Sequence, residues 1–420
     1  MAADPPRSPG DRFRQALTRI GEAGGREVTA AWALTRVIMF AILLLPWYPI
    51  DPVSGDTGLY REWAGQLVTG QFPVDDERWQ YPPLAALVIV LPQLPGTVYG
   101  LWFMLAALLL DLLVLRLLLR VSRKAVGGQA MGAWSWVAGL FLLGPVCYFR
   151  IDLPVTAVAV CAMLVMARSR AFGALVAVGT LIKAWPAVLL LSLPRDRACV
   201  RAVTASALTG VGIVGLMSVF MDDLWAFVGG QGGRGIEIEA VAAMPFHVAR
   251  HFGWAGSVEH RYGSWELLGP GVQVAGRLSM GLTLAGLALI GGIAWRRRPD
   301  AWNPAFGAEV ALAATLIAVI TSRVLSPQYM IWVIGVAAVC LSYRGARQGA
   351  VALLVLVAAG LTHLEFPVVW HAVRDGDPLA TGIVAVRNLL LIGAAVVVVR
   401  GLWAGSRTGE EDKEVRPGRG

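Results

Sequence analysis

Charge is scarce in this chain. Only 15% of its 420 residues are Asp, Glu, Lys or Arg, while 56% are hydrophobic. Soluble domains carry about 25% charged residues, so a single soluble domain is excluded and a polytopic membrane protein is indicated. Histidine is also sparse, with 5 residues. Cysteine is limited to Cys147, Cys161, Cys199 and Cys340, each isolated within or beside an apolar run. Disulfide frameworks and zinc sites need paired spacings, so these four read as packing residues. A removable leader is not evident either: residues 1–29 are polar and Arg-rich, and the apolar run after them exceeds the length of a leader core.

The net charge of +8 does not point to nucleic acid. The arginines cluster in short gaps between apolar runs, which is the pattern of cytoplasmic loops. Apolar runs near 30–50, 98–119, 131–148, 153–167, 171–182, 184–193, 202–221, 272–295, 304–321, 328–341, 349–366 and 381–399 suggest about twelve transmembrane helices in an all-α fold. Under that count every Arg cluster falls on one side, with both termini cytoplasmic. Residues 1–29 form a cytoplasmic segment, 30–403 the transmembrane domain, and 404–420 a disordered tail. The short run Leu84–Leu94, closed by Pro92 and Pro95, reads as an interfacial or re-entrant helix. Two long loops, 51–96 and 222–271, and a short one at 367–380 face the outer side.

Polar groups at membrane depth are costly and usually face a cavity. Lys183 lies between two half-length runs beside Pro186, which places it at the tip of a helical hairpin. It can hold a lipid phosphate or snorkel to the interface. Arg150 and Asp152 share an outer turn and can bind a polar ligand or each other. Arg323 precedes Ser326-Pro327-Gln328-Tyr329, where a helix start can favour an anion or simply carry an ordinary cap. His363 and Glu365 end the eleventh run, facing a cavity or the interface. Asp111 sits deeper and can serve packing through another helix.

The glycine-rich run 229–233 lacks the lysine and hydroxyl of a phosphate loop and reads as a flexible lid or linker. Arg234 and Glu237, just after it, can contact a polar head group. His247 and His251 share a helix face, but Val248 stands where a zinc protease needs Glu. No metal or cofactor is expected.

Asp56 is the leading catalytic candidate. Moving a sugar from a lipid phosphate to a hydroxyl requires a carboxylate that takes the acceptor's proton. Phosphate departs without protonation, so one base is enough, and a nearby cation steadies the developing charge. Asp56 can alternatively cap a helix beginning at Thr57. Tyr60, Arg61, Trp63, Trp79 and Tyr81 surround it in sequence and can shape a sugar site or form an interfacial aromatic belt.

Taken in order, these motifs resemble the C-type (GT-C) glycosyltransferases of family 87, which use polyprenyl phosphate sugars. The resemblance rests on Asp56 with Tyr60, the Tyr81-Pro-Pro-Leu84 corner, Lys183 with Pro186, Arg234-Gly-Ile-Glu237, and Ser326-Pro-Gln-Tyr329. It runs from Asp56 to Trp332. The family includes mannosyltransferases that build lipid glycans in actinobacteria. The resemblance implies a GT-C fold, a metal-independent inverting transfer on the extracytoplasmic face, Asp56 as base, and Lys183, Arg323 and Arg150 as phosphate contacts. Tyr60, Arg61, Trp63, Trp79, Tyr81, Arg234, Glu237, Gln328, Tyr329 and His363 would line the substrate site. The implied partners are a polyprenyl phosphate donor carrying a hexose, mannose first, a glycolipid or glycan acceptor, and membrane lipids, with no nucleic acid. Where many relatives carry Gly-Gln-x-Asn, this chain has Phe149-Arg-Ile-Asp152, which leaves acceptor and sugar open. The competing class is a twelve-span secondary transporter or lipid flippase, whose polar groups would sit near the midplane on broken helices.

Overall fold

The computed structural model describes residues 24–124, 130–225, 227, 233–297, 299, 302–343 and 348–414. Helices dominate. In chain order they are α1 (Gly25–Ile42), α2 (Ile50–Leu67), α3 (Ala85–Val90), α4 (Tyr99–Lys124), α5 (Met131–Leu143), α6 (Asp152–Leu164), α7 (Ser169–Ile182) and α8 (Arg197–Met217). After the second loop come α9 (Met244–Arg250), α10 (Val272–Arg296), α11 (Pro304–Ile320), α12 (Tyr329–Leu341), α13 (Gly349–His363), α14 (Trp370–Asp375) and α15 (Pro378–Glu414).

Five of these, α4, α8, α10, α13 and α15, contain stretches long and apolar enough to cross a membrane. At a rise of about 1.5 Å per residue, 20 or more residues reach across a hydrocarbon core of about 30 Å. Five shorter apolar helices, α5, α6, α7, α11 and α12, fill the interior between them. Sequence chemistry fixes several starts. The Asp196 carboxylate accepts from Ala198 N at 2.7 Å and opens α8. Asn303 accepts from Phe306 N at 2.9 Å, with Pro304 in the first turn of α11.

α12 is the core of the bundle. All but its first residue are buried, and it contacts α5, α6, α11 and α13. It carries no charge, so it needs no solvent face. Gly335 lets α6 approach closely, because a methyl group there would collide with Thr156 Cγ2. Asp111 ties three helices around a polar knot. Its carboxylate accepts from Arg36 Nε at 2.8 Å and from Trp32 Nε1, Trp136 Nε1 and Tyr148 Oη at 2.7 Å each. It is a packing residue.

Most of the expected helices are present, with revised edges. The sixth, 184–193, is a tight 3-10 helix, Trp185–Ser192, too short to span. The run Leu84–Leu94 forms α3 and one 3-10 turn, and Leu84 N donates to Leu181 O at 2.9 Å. α15 continues to Glu414, past residue 404 where an unstructured tail was expected; residues 415–420 lie outside the described residues.

The second loop is more ordered than a linker. It holds strands β1 (Ile236–Glu237), β2 (Ser257–Arg261) and β3 (Ser264–Leu268), antiparallel in the order β1-β3-β2. Tyr262 and Gly263 join β2 to β3 with φ of 52° and 74°. Positive φ at both positions is the signature of a two-residue hairpin turn. Residues 229–232, the expected glycine lid, lie outside the described residues. The two long loops touch where Asp222 N donates to Gly70 O at 3.2 Å.

Candidate active site

Two cavities meet at Asp56. The larger, of about 600 Å³, is walled by Asp56, Trp63 and Tyr81 from the first loop and by Lys183, Arg234 and Arg323 from three other segments. Ser326, Gln328, Tyr329 and Trp332 complete its polar and aromatic wall, while Met280 and Leu284 of α10 give it an apolar side. The smaller, of about 180 Å³, shares Asp56, Ser264, Ser326 and Gln328 and extends toward Arg150, Glu239 and Trp370.

Asp56 does not start a helix. α2 begins at Ile50, so Asp56 sits in its second turn and the capping role is overturned. Its side chain is 31% exposed, and Oδ2 lies 3.0 Å from the Nε of buried Arg150. The Tyr60 hydroxyl stands 3.5 Å from the same oxygen. Arg150 is itself clamped, donating from Nη1 to Val53 O at 2.8 Å and from Nη2 to Pro52 O at 3.1 Å. The guanidinium therefore fixes the carboxylate while one side of Asp56 faces the cavities. Arg150 lines the smaller cavity and not the larger one, and its charge is paired with Asp56.

Lys183 sits where α7 ends, with extended backbone at φ −156° and ψ 132°. Pro186 then starts the 3-10 helix, so the expected hairpin tip is present. Its Nζ pairs with Asp152 Oδ1 at 2.7 Å, and Trp332 Nε1 donates to the same oxygen at 2.7 Å. Nζ also lies 4.8 Å from the Tyr329 ring centre and 5.1 Å from that of Trp332. The turn that carries Arg150 and Asp152 thus sends its two charges apart: Arg150 to Asp56, Asp152 to Lys183. The two do not pair with each other.

Arg323 donates from Nη1 to Arg234 O at 3.3 Å, and Arg234 pairs with Glu266 at 2.8 Å. Both guanidinium groups line the larger cavity. Glu237 is buried beneath them. Its two oxygens accept from Leu325 N at 2.6 Å and Ser326 Oγ at 2.7 Å, which pins the Ser326–Tyr329 turn in place. Burial pushes its carboxyl up to about 7, against the pull of Ser326 and Arg234.

Four candidates take other places. Tyr60 and Trp79 are buried behind the cavity wall and pack against Trp63, Tyr60 tilted and Trp79 edge-on, with ring centres 6.0 and 5.1 Å away. They support the wall and do not line it. Burial holds the Tyr60 phenol far above its usual range, so it stays a hydroxyl. Arg61 is exposed and lines neither cavity, since five residues along a helix turn it roughly 140° from Asp56. His363 meets the Tyr48 hydroxyl at 3.1 Å and also lines neither. Its neighbour Glu365 is fully buried against Arg387 at 2.7 Å. His247 makes a 2.7 Å hydrogen bond with Ile238 O. Sequence reasoning missed Trp332, Glu266 and Glu239. Trp332 has no distinguishing signal inside an apolar run; Glu266 and Glu239 become legible only once the hairpin is recognised.

A half-exposed carboxylate held by an arginine, at the wall of a cation- and aromatic-lined cavity among membrane-length helices, suits an enzyme acting on lipid-borne, hydroxylated substrates. The chain belongs to glycosyltransferase family 87: the model of that family matches residues 79–327, over half of the sequence. It is therefore a membrane glycosyltransferase. The matched stretch contains Lys183, Arg234, Glu237 and Arg323, while Asp56 lies before it. None of the curated proteins matches the chain. Among solved structures, ArnT from Cupriavidus metallidurans bound to undecaprenyl phosphate is similar, at 16% identity and a TM-score of 0.45, over 91% of this chain and 78% of that one.

Proposed function

We propose that this glycosyltransferase moves a hexose, mannose in the first instance, from a polyprenyl phosphate carrier to a hydroxyl of a lipid-linked or polymeric glycan on the extracytoplasmic face. The observation that carries the reading is the position of Asp56, fixed by Arg150 on the wall between two cavities, one of which is lined by Lys183, Arg234 and Arg323. In the larger cavity the three cations receive the carrier phosphate, and the apolar side at Met280 and Leu284 faces the lipid.

The reaction is a single displacement. The acceptor oxygen attacks the anomeric carbon, and its proton passes to Asp56 Oδ2 or Oδ1. The bond from that carbon to the phosphate oxygen breaks, and its electron pair leaves on the polyprenyl phosphate. One displacement inverts the anomeric centre. Lys183 and the two arginines stabilise the charge that grows on the leaving oxygen. Trp63, Tyr81, Gln328 and Tyr329 orient the sugar.

The test is transfer from synthetic polyprenyl phosphate mannose by the purified protein, with the product anomer read by NMR. Inverted product supports the reading. Uptake of a solute into proteoliposomes without any transfer would replace it with a transporter.

A further inference from the structure

Among the described residues, the charged lining of the larger cavity is Asp56, Arg78, Lys183, Arg234 and Arg323. All but one of these are paired. Asp56 meets Arg150 at 3.0 Å, Lys183 meets Asp152 at 2.7 Å and Arg234 meets Glu266 at 2.8 Å. Arg78 meets Asp76 at 2.7 Å and Glu62 at 3.8 Å on the exposed rim, where water screens the charges. Arg323 is the exception. Among the described residues it has no carboxylate partner; its Nη1 donates to Arg234 O, and a methyl at Gly276 of α10 would touch its Cζ at 3.4 Å. The inner wall therefore carries a single uncompensated positive charge.

Glu266 sets that balance from outside the cavity. It is fully buried on β3 and lines neither cavity. Its Oε1 accepts from Arg234 Nε at 2.9 Å and Ser264 Oγ at 3.1 Å, and its Oε2 from Gly235 N at 2.7 Å. Gly235 permits this approach, since a side chain there would collide with Leu267 O. Arg234 Nη2 also reaches Ser264 Oγ at 2.9 Å, so Nη1 is the nitrogen left for a ligand. The Arg234 carbonyl, held by Gln273 Nε2 at 3.2 Å, in turn places Arg323. Asp152 stands behind Lys183 in the same way and also lines neither cavity.

A carrier phosphate esterified to a sugar is a diester with one negative charge. Once the sugar has left it is a monoester, carrying about 1.5 to 2 at pH 7. Attraction to the wall grows in proportion to the ligand's charge. The cost of taking that charge out of water grows with its square. One positive charge therefore suits the diester, and each further one tips the balance toward the monoester.

We propose that Glu266 is a positioning residue that places Arg234 for the carrier phosphate and cancels its net charge, so that the freed carrier, the more highly charged lipid, is released rather than retained. Asp152 acts likewise through Lys183. Arg234 and Lys183 still donate hydrogen bonds to the phosphate; what the buried carboxylates remove is excess field. This rests on the transferase reading and adds to it how the product leaves.

The readout is a ratio of dissociation constants, freed carrier over sugar-loaded carrier. Lost placement weakens both lipids alike, whereas added positive charge favours the dianion. The full chain in detergent is titrated with synthetic polyprenyl phosphate and polyprenyl phosphate mannose of equal chain length, followed by tryptophan fluorescence. The assay is run at about pH 8, above the second phosphate ionisation near 6. Glu266→Gln should lower the ratio at least tenfold below wild type. Asp152→Asn, on a different segment, should do the same. Glu266→Gln combined with Arg234→Gln restores the charge balance and should bring the ratio within threefold of wild type, even where both constants have risen. If Glu266→Gln does not fold, Asp152→Asn and the double variant still decide. A ratio within threefold of wild type in either folded single variant, or a double variant shifted tenfold or more, would overturn the inference. Ratios that follow the charge in a protein that transfers no sugar would sink the transferase reading and spare this one. Transfer by the wild type with flat ratios in the variants would do the reverse.

Discussion

Replacing Lys183 with Met separates what this lysine does for the fold from what it does for the reaction. Its Nζ lies 2.7 Å from Asp152 Oδ1, and the two side chains are 15% and 1% exposed. At an effective dielectric of about 20, charges at that separation attract by about 6 kcal/mol before desolvation is subtracted. Removing one partner of such a pair leaves a buried carboxylate uncompensated, at about 3–5 kcal/mol. Trp332 Nε1 still donates to Asp152 Oδ1, but Oδ2 has no hydrogen-bond partner to share the charge. Lys183→Met should therefore lose about 3–5 kcal/mol of stability. Adding Asp152→Leu removes the stranded charge and should return most of that loss, because buried pairs are often replaceable by apolar groups. Transfer should remain at least a hundredfold below wild type in both variants, since neither can neutralise the departing phosphate. Thermal unfolding in detergent and turnover of polyprenyl phosphate mannose make the comparison. A single variant as stable as wild type would refute the electrostatic argument. A double variant that transfers within tenfold of wild type would refute the phosphate role.

Arg150→Met should cut kcat by about 10²-fold with little change in donor KM, because it unfixes a catalytic carboxylate rather than a binding group; steady-state kinetics would show it. Asp111→Ala strands the Arg36 guanidinium and three other donors in the bundle, so it should cost about 3–5 kcal/mol in thermal unfolding without altering donor KM in the protein that remains folded. The Glu237 carboxyl, raised to about 7 from 4.5 by burial, binds more protons folded than unfolded between those values. Its contribution is full below about 4.5 and lost as pH rises through about 7, so Glu237→Gln should flatten the decline of unfolding temperature across that window.

Much of the scaffold could be read from the chain because membrane helices are written in long apolar runs. Lys183 announced itself as a charge between two half-length runs with a proline beside it, and the structure has the turn there. What stayed hidden were pairings between distant segments. Asp152 lies 31 residues before Lys183, and nothing local shows that it turns away from its neighbour Arg150 to reach it. Arg150 reaches Asp56 only because α2 and the turn before α6 are brought side by side. Trp79 and Tyr60 looked like a sugar platform, since aromatic residues near a carboxylate have the same appearance whether they line a cavity or support its wall. The β-hairpin was legible but unread: Tyr262-Gly263 between the alternating segments 257–261 and 264–268 is a hairpin signal. Expecting membrane helices alone obscured it. The Glu239, Glu365 and Arg387 group joins three separate parts of the chain and left no pattern in any one of them.

Asp56→Asn tests the centre of the account. The change keeps size and leaves Arg150 and Tyr60 in place, but removes the group that accepts the acceptor's proton. General-base catalysis is typically worth about 10²–10⁴-fold, so kcat for transfer from polyprenyl phosphate mannose should fall by that factor while the donor KM shifts less than threefold. Transfer by Asp56→Asn within tenfold of wild type, in protein shown to be folded, would contradict the assignment of Asp56 as the base.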